Sequence, residues 1–246
     1  ATAGAGSRAA YWTGRVRGKV HDQAGSSLSE RLFGVSVVSG GSVGATVYRA
    51  VAQTGQAPLT GSLQQILGQD YLGPVSAGLL YKDLPQAALP IPVLSDRAKV
   101  FEQGLESGYA NIIGQNGLDS SLIASAATSR HWPALFLNST WSDNGRRIVG
   151  ATVQAPKGVL YEDLLHSLGA DLRLSTAAHN SARFPLVSPA GYWHPQQDPA
   201  TKQRLQDGGL FENYGAETAI EILEAARQQL GRDFHPLVIL ITSDPR

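Results

Sequence analysis

The sequence has neither cysteine nor methionine among its 246 residues. The absence of cysteine excludes a disulfide framework, a thiolate zinc site and a cysteine nucleophile. Its 20 basic and 20 acidic residues cancel, so no net charge draws the chain towards nucleic acid or an anionic membrane. No apolar run reaches the roughly 18 residues of a membrane-spanning helix. We therefore expect a soluble domain that does not bind nucleic acid, with any membrane anchor outside this sequence and the compartment left open.

The composition favours a single α/β domain over residues 1–246. Hydrophobic residues make up 42% of the chain, which is ample for one core. Strand-like apolar runs alternate with helical patterns, and this alternation predicts a mainly parallel sheet with helices on both faces. The segment 55–94, rich in Gly, Pro and Leu, is predicted to be an insertion or cap. Because no methionine begins the sequence and a buried-strand pattern at 236–242 almost ends it, we expect a piece of a longer protein.

A glycine-rich motif, Gly40-Gly41-Ser42-Val43-Gly44, lies between an apolar, β-branched run that ends at Val38 and a helical pattern over 45–52. A strand that turns into a helix within about three residues must bend sharply, and glycines beside the serine permit that bend while its Oγ stays exposed. The pattern G-x-S-x-G in this context is typical of a nucleophile elbow. We therefore predict Ser42 as the nucleophile, supported by Gly40, Gly41 and Gly44.

A second glycine-rich turn, Gly4-Ala5-Gly6-Ser7-Arg8-Ala9, precedes a helical pattern from Ala10 to about Gln23. Such a turn directs free N–H groups and the positive end of a helix at one point, where an anion binds. One interpretation is the dinucleotide fingerprint, which requires an acidic residue at the end of a second strand about 20 residues on. Asp22 lies in a polar, turn-like segment and does not meet that requirement. The other interpretation is an oxyanion hole formed by Gly4, Ala5, Gly6 and Ser7.

Asp207, followed by Gly208 and Gly209, is the candidate base that a serine nucleophile needs. Without side chains at 208 and 209, another loop could approach the carboxylate closely. Its pKa, about 3.9 in water, would have to be raised by desolvation for efficient base catalysis at neutral pH. The chain order Ser42, Asp207, His235 also fits a Ser-Asp-His triad, although His235 comes before an apolar run rather than after one.

The three motifs, in this order and spacing, resemble those of the patatin-like phospholipases and, more distantly, the group IV cytosolic phospholipases. Those families carry G-G-G-x-R/K-G, then G-x-S-x-G, then D-G-G/A. The likeness spans nearly the whole chain except about 55–94, although Ala5 and Ala9 replace family glycines. The resemblance implies a three-layer α/β/α domain with a mainly parallel central sheet and a Ser42/Asp207 dyad. We expect no metal and no cofactor.

The resemblance also implies a lipid acyl hydrolase, a phospholipase A or lysophospholipase, that forms an acyl-enzyme and contacts a membrane surface. Arg8 would steady a phosphate head group or hold the loop by a salt bridge. The apolar stretches 79–81 and 89–92 either form a lip over the site or pack on the domain. The alternatives are a catalytically silent module of the same fold, a triad esterase that uses His235, and a dinucleotide-binding domain. Head group, acyl chain, the acyl acceptor and oligomeric state are left open.

Overall fold

The computed structural model describes residues 1–25, 31–87, 97–127, 132–231 and 234–243, and these residues form a mixed α/β protein. The helices are α1 (Gly6–Ala24), α2 (Gly40–Gln53), α3 (Leu59–Leu67), α4 (Leu72–Gly78), α5 (Leu84–Ala87), α6 (Arg97–Ile113), α7 (Leu122–Ala127), α8 (Leu164–Leu168), α9 (Leu174–Ser181) and α10 (Ala216–Leu230), with a π-helical turn at Leu79–Asp83 and a 3₁₀ turn at Gly208–Leu210. The strands are β1 (Gly34–Val38), β2 (Ala134–Trp141), β3 (Arg146–Ala151), β4 (Glu162–Asp163), β5 (Gly191–Trp193) and β6 (Gln203–Asp207).

The sheet runs in the order β4-β3-β2-β6-β5, and β1 also pairs with β2. The pairs β1–β2 and β3–β4 are parallel. The pairs β2–β3, β2–β6 and β5–β6 are antiparallel. The mainly parallel sheet that we expected is therefore not confirmed among the described strands. The short turn between Trp141 and Arg146 joins β2 to β3 as a hairpin, and a connection of that length returns the chain antiparallel.

Helices cover both faces of the sheet around β2. Leu135 and Leu137 pack with residues of α2 and α9, whereas Phe136 packs with Ile222 of α10. Successive side chains of a strand point to opposite faces, so these contacts define the two sides. The segment predicted as a cap is in part core, because α3 contributes buried side chains to the cluster that contains Tyr109.

Two helices are predicted from their amphipathic periodicity. The pattern over 216–230, followed by Gly231 as C-cap, predicts a helix that has these same bounds in the structure. The pattern from Ser95, the expected N-cap, to about Ile113 predicts another, which is described from Arg97 to Ile113, and Ser95 lies outside the described residues. None of the helices in the described ranges has the length and apolarity needed to cross a bilayer.

The apolar run at 236–242 was predicted wrongly as a buried strand. Ile241 forms a parallel bridge with Thr2, but Leu237 is 87% exposed. The run lies beside the first three residues, at the margin of the sheet. An apolar pattern predicts that a segment prefers burial, and it does not say which element would cover it.

Candidate active site

The chain turns from strand to helix at one residue, Ser39. Strand β1 ends at Val38 and α2 begins at Gly40. Ser39 has φ 51° and ψ −127°, a conformation that residues other than glycine rarely adopt. A strained strand-to-helix turn of this kind presents its side chain at the tip of the bend. The elbow therefore lies three positions before the predicted one, and Ser42 is in the first turn of α2.

The register of the sheet brings Ser39 to Asp207. Val38, the last residue of β1, lies opposite Asn138 of β2. Asp207, the last residue of β6, lies opposite the next residue of β2, Ser139. The two strands therefore end beside each other along β2. As a result, Ser39 Oγ donates a hydrogen bond of 2.6 Å to Oδ2 of Asp207.

The Asp207 carboxylate is buried and held on both oxygens. The residue is 2% exposed, and its Oδ1 accepts a 2.8 Å hydrogen bond from the N–H of Gly209. Burial raises the pKa of Asp207 above its usual value, while the hydrogen bonds from Ser39 and Gly209 act in the opposite direction. A raised pKa makes the carboxylate a better base at neutral pH. The sequence analysis required desolvation to raise the pKa of Asp207, and burial raises it here.

Ser42 does not meet Asp207, contrary to our expectation. Ser42 is 0% exposed, and its Oγ lies 2.7 Å from Oγ of Ser181. The hydroxyl of Ser181 donates its proton to the carbonyl of Asn138, so it accepts the proton of Ser42. Ser181 Oγ also accepts the N–H of Ser39 at 3.1 Å. Ser42 and Ser181 therefore support the elbow from behind, and the structure assigns the elbow position to Ser39.

A sequence signal for Ser39 existed. Val38-Ser39-Gly40-Gly41 contains the x-S-x-G part of the elbow motif, and it follows the strand directly. Val37 stands where the motif has its first glycine, so the complete G-x-S-x-G match lies at Ser42. Ser181 gave no such signal, because it reaches the elbow from the end of a helix distant in sequence.

The supporting glycines allow α1 and its preceding turn to lie directly on the elbow. A Cβ on Gly40 would lie 1.8 Å from the carbonyl oxygen of Gly6, and a Cβ on Gly4 would lie 2.8 Å from Cβ of Ser39. Similarly, a Cβ on Gly41 or Gly44 would lie within 3 Å of the backbone of the chain between Ala3 and Ala10. Larger residues would therefore push the first glycine-rich turn away from the serine.

The first turn of α1 offers free amide protons beside the elbow. The N–H groups of Gly6 and Ser7 have no acceptor within the helix, because no turn precedes them. Neither donates elsewhere in the ranges that the structure describes. Gly6 has φ 58°, which a residue with a Cβ adopts only at a cost. Ala5, Gly6, Ser7 and the exposed Arg8 line the same cavity as Ser39 and Asp207.

Gly4, also predicted in the oxyanion hole, has another role. Its N–H donates to the carbonyl of Asn213 at 2.8 Å, and Nδ2 of Asn213 donates to its carbonyl at 3.0 Å. A Cβ on Gly209 would lie 3.0 Å from the Asn213 side chain, and one on Gly208 would lie 2.2 Å from the carbonyl oxygen of Asn138. These contacts join the first turn to the loop after Asp207, so Gly4 anchors the site.

The elbow opens into a cavity of about 580 Å³. Ser39, Gly40 and Asp207 line it, together with the first turn of α1. Its apolar lining residues are Val43, Leu67, Leu72, Val75, Phe101, Ala182, Phe184 and Val187. Ser42 is not one of the described residues that line this cavity. A serine and a carboxylate on an apolar wall form a site suited to an apolar ester.

Exposed apolar side chains lie on two segments, 80–84 and 184–187, the second of which contributes to the cavity lining, and we call them the apolar rim. The rim comprises Leu80, Tyr81, Leu84, Phe184, Leu186 and Val187, all exposed. Arg97 joins its two halves, because it donates to the carbonyls of Val187 at 2.9 Å and Leu186 at 3.2 Å and forms an ion pair with Asp83. The predicted lip at 79–81 is thus exposed in part, whereas its second half, 89–92, lies outside the described residues.

The structure gives no support to the two alternative interpretations of the site, which involve His235 and Asp22. His235 is exposed and lines a different cavity with Phe234, and no hydrogen bond links it to Asp207 in the described part of the chain. Asp22 accepts the N–H groups of Leu59 and Thr60 at 2.7 and 3.0 Å, so it caps α3. This contact gives Asp22 a structural use and gives no support to the dinucleotide interpretation.

No protein-family model matches the chain, and no curated protein is significantly similar to it. The resemblance to the patatin-like phospholipases therefore stays a prediction, based on the three motifs. The geometry around Ser39 is an independent observation.

Proposed function

We propose that the chain is a serine acyl hydrolase of the patatin-like type, a three-layer α/β/α domain in which Ser39 is the nucleophile and Asp207 its base. One observation carries this proposal: the 2.6 Å hydrogen bond between Ser39 and Asp207 at the tip of a strained elbow that faces a cavity. In this proposal Ser39 takes the role that the sequence motif suggested for Ser42. The oxyanion-hole interpretation of the first glycine-rich turn is retained without Gly4.

The proposed reaction begins when Asp207 Oδ2 accepts the proton of Ser39. The Ser39 oxygen attacks the ester carbonyl carbon, and the oxyanion is held by the N–H groups of Gly6, Ser7 and Gly40, the residue after the nucleophile. The alcohol leaves with the proton from Asp207, which produces an acyl-enzyme. The same carboxylate then takes a proton from water, and attack of this water on the acyl carbon releases the carboxylic acid.

The cavity favours a lipid ester as the substrate. Its apolar lining suits an acyl chain, and its volume of about 580 Å³ lies within the roughly 300–1,000 Å³ of small-molecule sites. The apolar rim extends this surface outward, where a membrane or micelle could supply the substrate. Arg8 adds a cationic side chain to the lining, suited to a phosphate head group. We therefore include phospholipids among the proposed substrates.

A panel of phospholipids, lysophospholipids and neutral glycerides, scored for released fatty acid by mass spectrometry, tests this function. We expect the wild-type chain to release fatty acid from at least one class and Ser39→Ala to release much less. If wild type and Ser39→Ala gave equal release, the dyad would be refuted. If no class were hydrolysed and no serine reacted with a fluorophosphonate, the silent binding module would be favoured instead.

A further inference from the structure

A second serine faces the cavity, and a histidine and a glutamate stand behind it. Ser188 Oγ lies 2.8 Å from Nε2 of His179, and Nδ1 of the same ring lies 2.9 Å from Oε1 of Glu102. All three residues are buried. Ser188 and His179 line the cavity that Ser39 faces. The mechanism proposed for Ser39 and Asp207 uses none of them.

The hydrogen bonds define which nitrogen of the His179 ring donates a proton to Glu102. Burial opposes ionisation of Glu102, but the hydrogen bond and the charge of His179, the hydrogen bond from Thr176 and the charge of Arg183 lower its pKa below the usual value. An ionised carboxylate only accepts hydrogen bonds, so Nδ1 of His179 carries the proton that Glu102 receives. When the ring is neutral, its Nε2 is an acceptor, and the hydroxyl of Ser188 donates to it.

Competing contacts of Ser188 are weaker. Its Oγ lies 3.5 Å from the carbonyl of Pro189, at the outer limit of a hydrogen bond, so the 2.8 Å contact with Nε2 dominates. Glu102 is also held by Thr176 at 2.8 Å, which fixes the carboxylate that orients the ring. The order of groups is serine, Nε2, Nδ1 and carboxylate. This is the order of a Ser-His-acid triad.

We propose that Ser188 is a second nucleophile of the cavity, activated by His179 and Glu102, that reacts with carboxylic esters and fluorophosphonates. With an ester, Nε2 takes the proton of Ser188 and the serine oxygen bonds to the carbonyl carbon. The bond from that carbon to the alcohol oxygen breaks, and the alcohol leaves with the proton. Water then hydrolyses the acyl-serine with the same ring as base. This proposal does not depend on the reactivity of Ser39.

A purely structural role is the competing explanation, since the ring also packs on Phe101 with a centroid distance of 4.7 Å. Labelling the whole chain with a fluorophosphonate and mapping tryptic peptides separates the two explanations. Ser39 lies in the peptide 32–49, and Ser188 is the only serine of the peptide 184–202. We expect label on both peptides in wild type, on 184–202 alone in Ser39→Ala, and on 32–49 alone in Ser188→Ala.

The proposal is overturned if 184–202 stays unlabelled in both wild type and Ser39→Ala. Label on 184–202 at the wild-type rate in His179→Gln would also overturn it, and label on 32–49 in the same sample reports whether that variant is folded. Glu102→Gln should slow labelling of 184–202 by more than tenfold, because loss of the orienting carboxylate costs a triad about 10⁴ in rate. Failure of the Ser39 proposal would instead appear as absence of label on peptide 32–49 in the wild-type chain.

Discussion

Ser39 and Asp207 are 168 positions apart in the chain and share a 2.6 Å hydrogen bond. Two strands, β1 and β6, end opposite neighbouring residues of β2 and bring them together. The strands belong to the packed sheet, so the pair is positioned by rigid elements rather than by mobile loops. Rigid positioning of this kind is what a nucleophile and its base require before any substrate binds.

In a Ser188→Ala background, Asp207→Asn should lower kcat for a chromogenic acyl ester by at least a hundredfold, because general bases typically contribute about 10² to 10⁴ in rate. The amide fits the same space but does not take the Ser39 proton. The matched control is His235→Ala, which changes an exposed residue of a different cavity and should leave kcat unchanged. Equal activity of Asp207→Asn and wild type, with loss in His235→Ala, would favour the Ser-Asp-His triad.

The activity that depends on Ser39 should be lost as the pH falls through the folded-state pKa of Asp207. Only the ionised carboxylate accepts the Ser39 proton, and burial raises its pKa, so the loss should occur above the value of about 3.9 for free aspartate. The profile of kcat/KM against pH in Ser188→Ala, which retains only the Ser39 nucleophile, measures this midpoint. A midpoint at or below that of free aspartate would contradict the role of burial.

Gly6→Ala should damage catalysis beyond its effect on stability. An added Cβ meets no atom within 4 Å, so the strain comes from the φ of 58°, about 1 kcal/mol for an L residue. Gly25→Ala is the matched control at the other end of α1, where φ is 67° and the space is also open. Both variants should lose stability in urea denaturation, Gly25→Ala at least as much as Gly6→Ala, because the ψ of −166° at Gly25 belongs to a region that glycine almost alone adopts. Only Gly6→Ala should reduce kcat, by about tenfold or more, because it shifts an oxyanion-hole donor.

If both glycine variants had the same kcat as wild type, the first turn of α1 would have no part in the reaction. If Gly25→Ala reduced kcat as much as Gly6→Ala, the effect would come from general destabilisation.

The pair of substitutions Leu80→Asp and Tyr81→Asp should weaken binding to phosphatidylcholine vesicles at least tenfold. Tyr81 is 77% exposed on the apolar rim, and charges there remove apolar area that a lipid surface would cover. Leu160→Asp is the control, because Leu160 is 81% exposed and does not line the cavity. Hydrolysis of a water-soluble short ester should be unchanged in both the paired variant and the control. Vesicle binding equal to wild type would exclude the rim as the lipid contact.

The sequence predicted the elements better than it predicted how they meet. The bounds of α10 were predictable because its amphipathic pattern is strong and Gly231 ends it. The position of the elbow was not predictable in this way. The carbonyl oxygen of Gly6 lies so close to Gly40, the first residue of α2, that no side chain fits at Gly40. That approach is a tertiary contact, and a local motif does not report it.

The same limit applies to the wider site. The burial that raises the pKa of Asp207 and the grouping of His179 with Ser188 come from packing of separate segments. Lone histidines carry no local signal of their partners. The three motifs predict that a serine, a carboxylate and the first glycine-rich turn share one site, whereas only the fold brings Ser39 rather than Ser42 to Asp207.

The most direct test of the account compares Ser39→Ala with Ser42→Ala in hydrolysis of a chromogenic acyl ester, each in a Ser188→Ala background. We predict that Ser39→Ala abolishes the remaining activity. Ser42→Ala should keep most of it and lose about 1 kcal/mol of stability, the typical contribution of one buried hydrogen bond. The contrary result, full activity in Ser39→Ala and none in a folded Ser42→Ala, would show that the elbow serine is not the nucleophile.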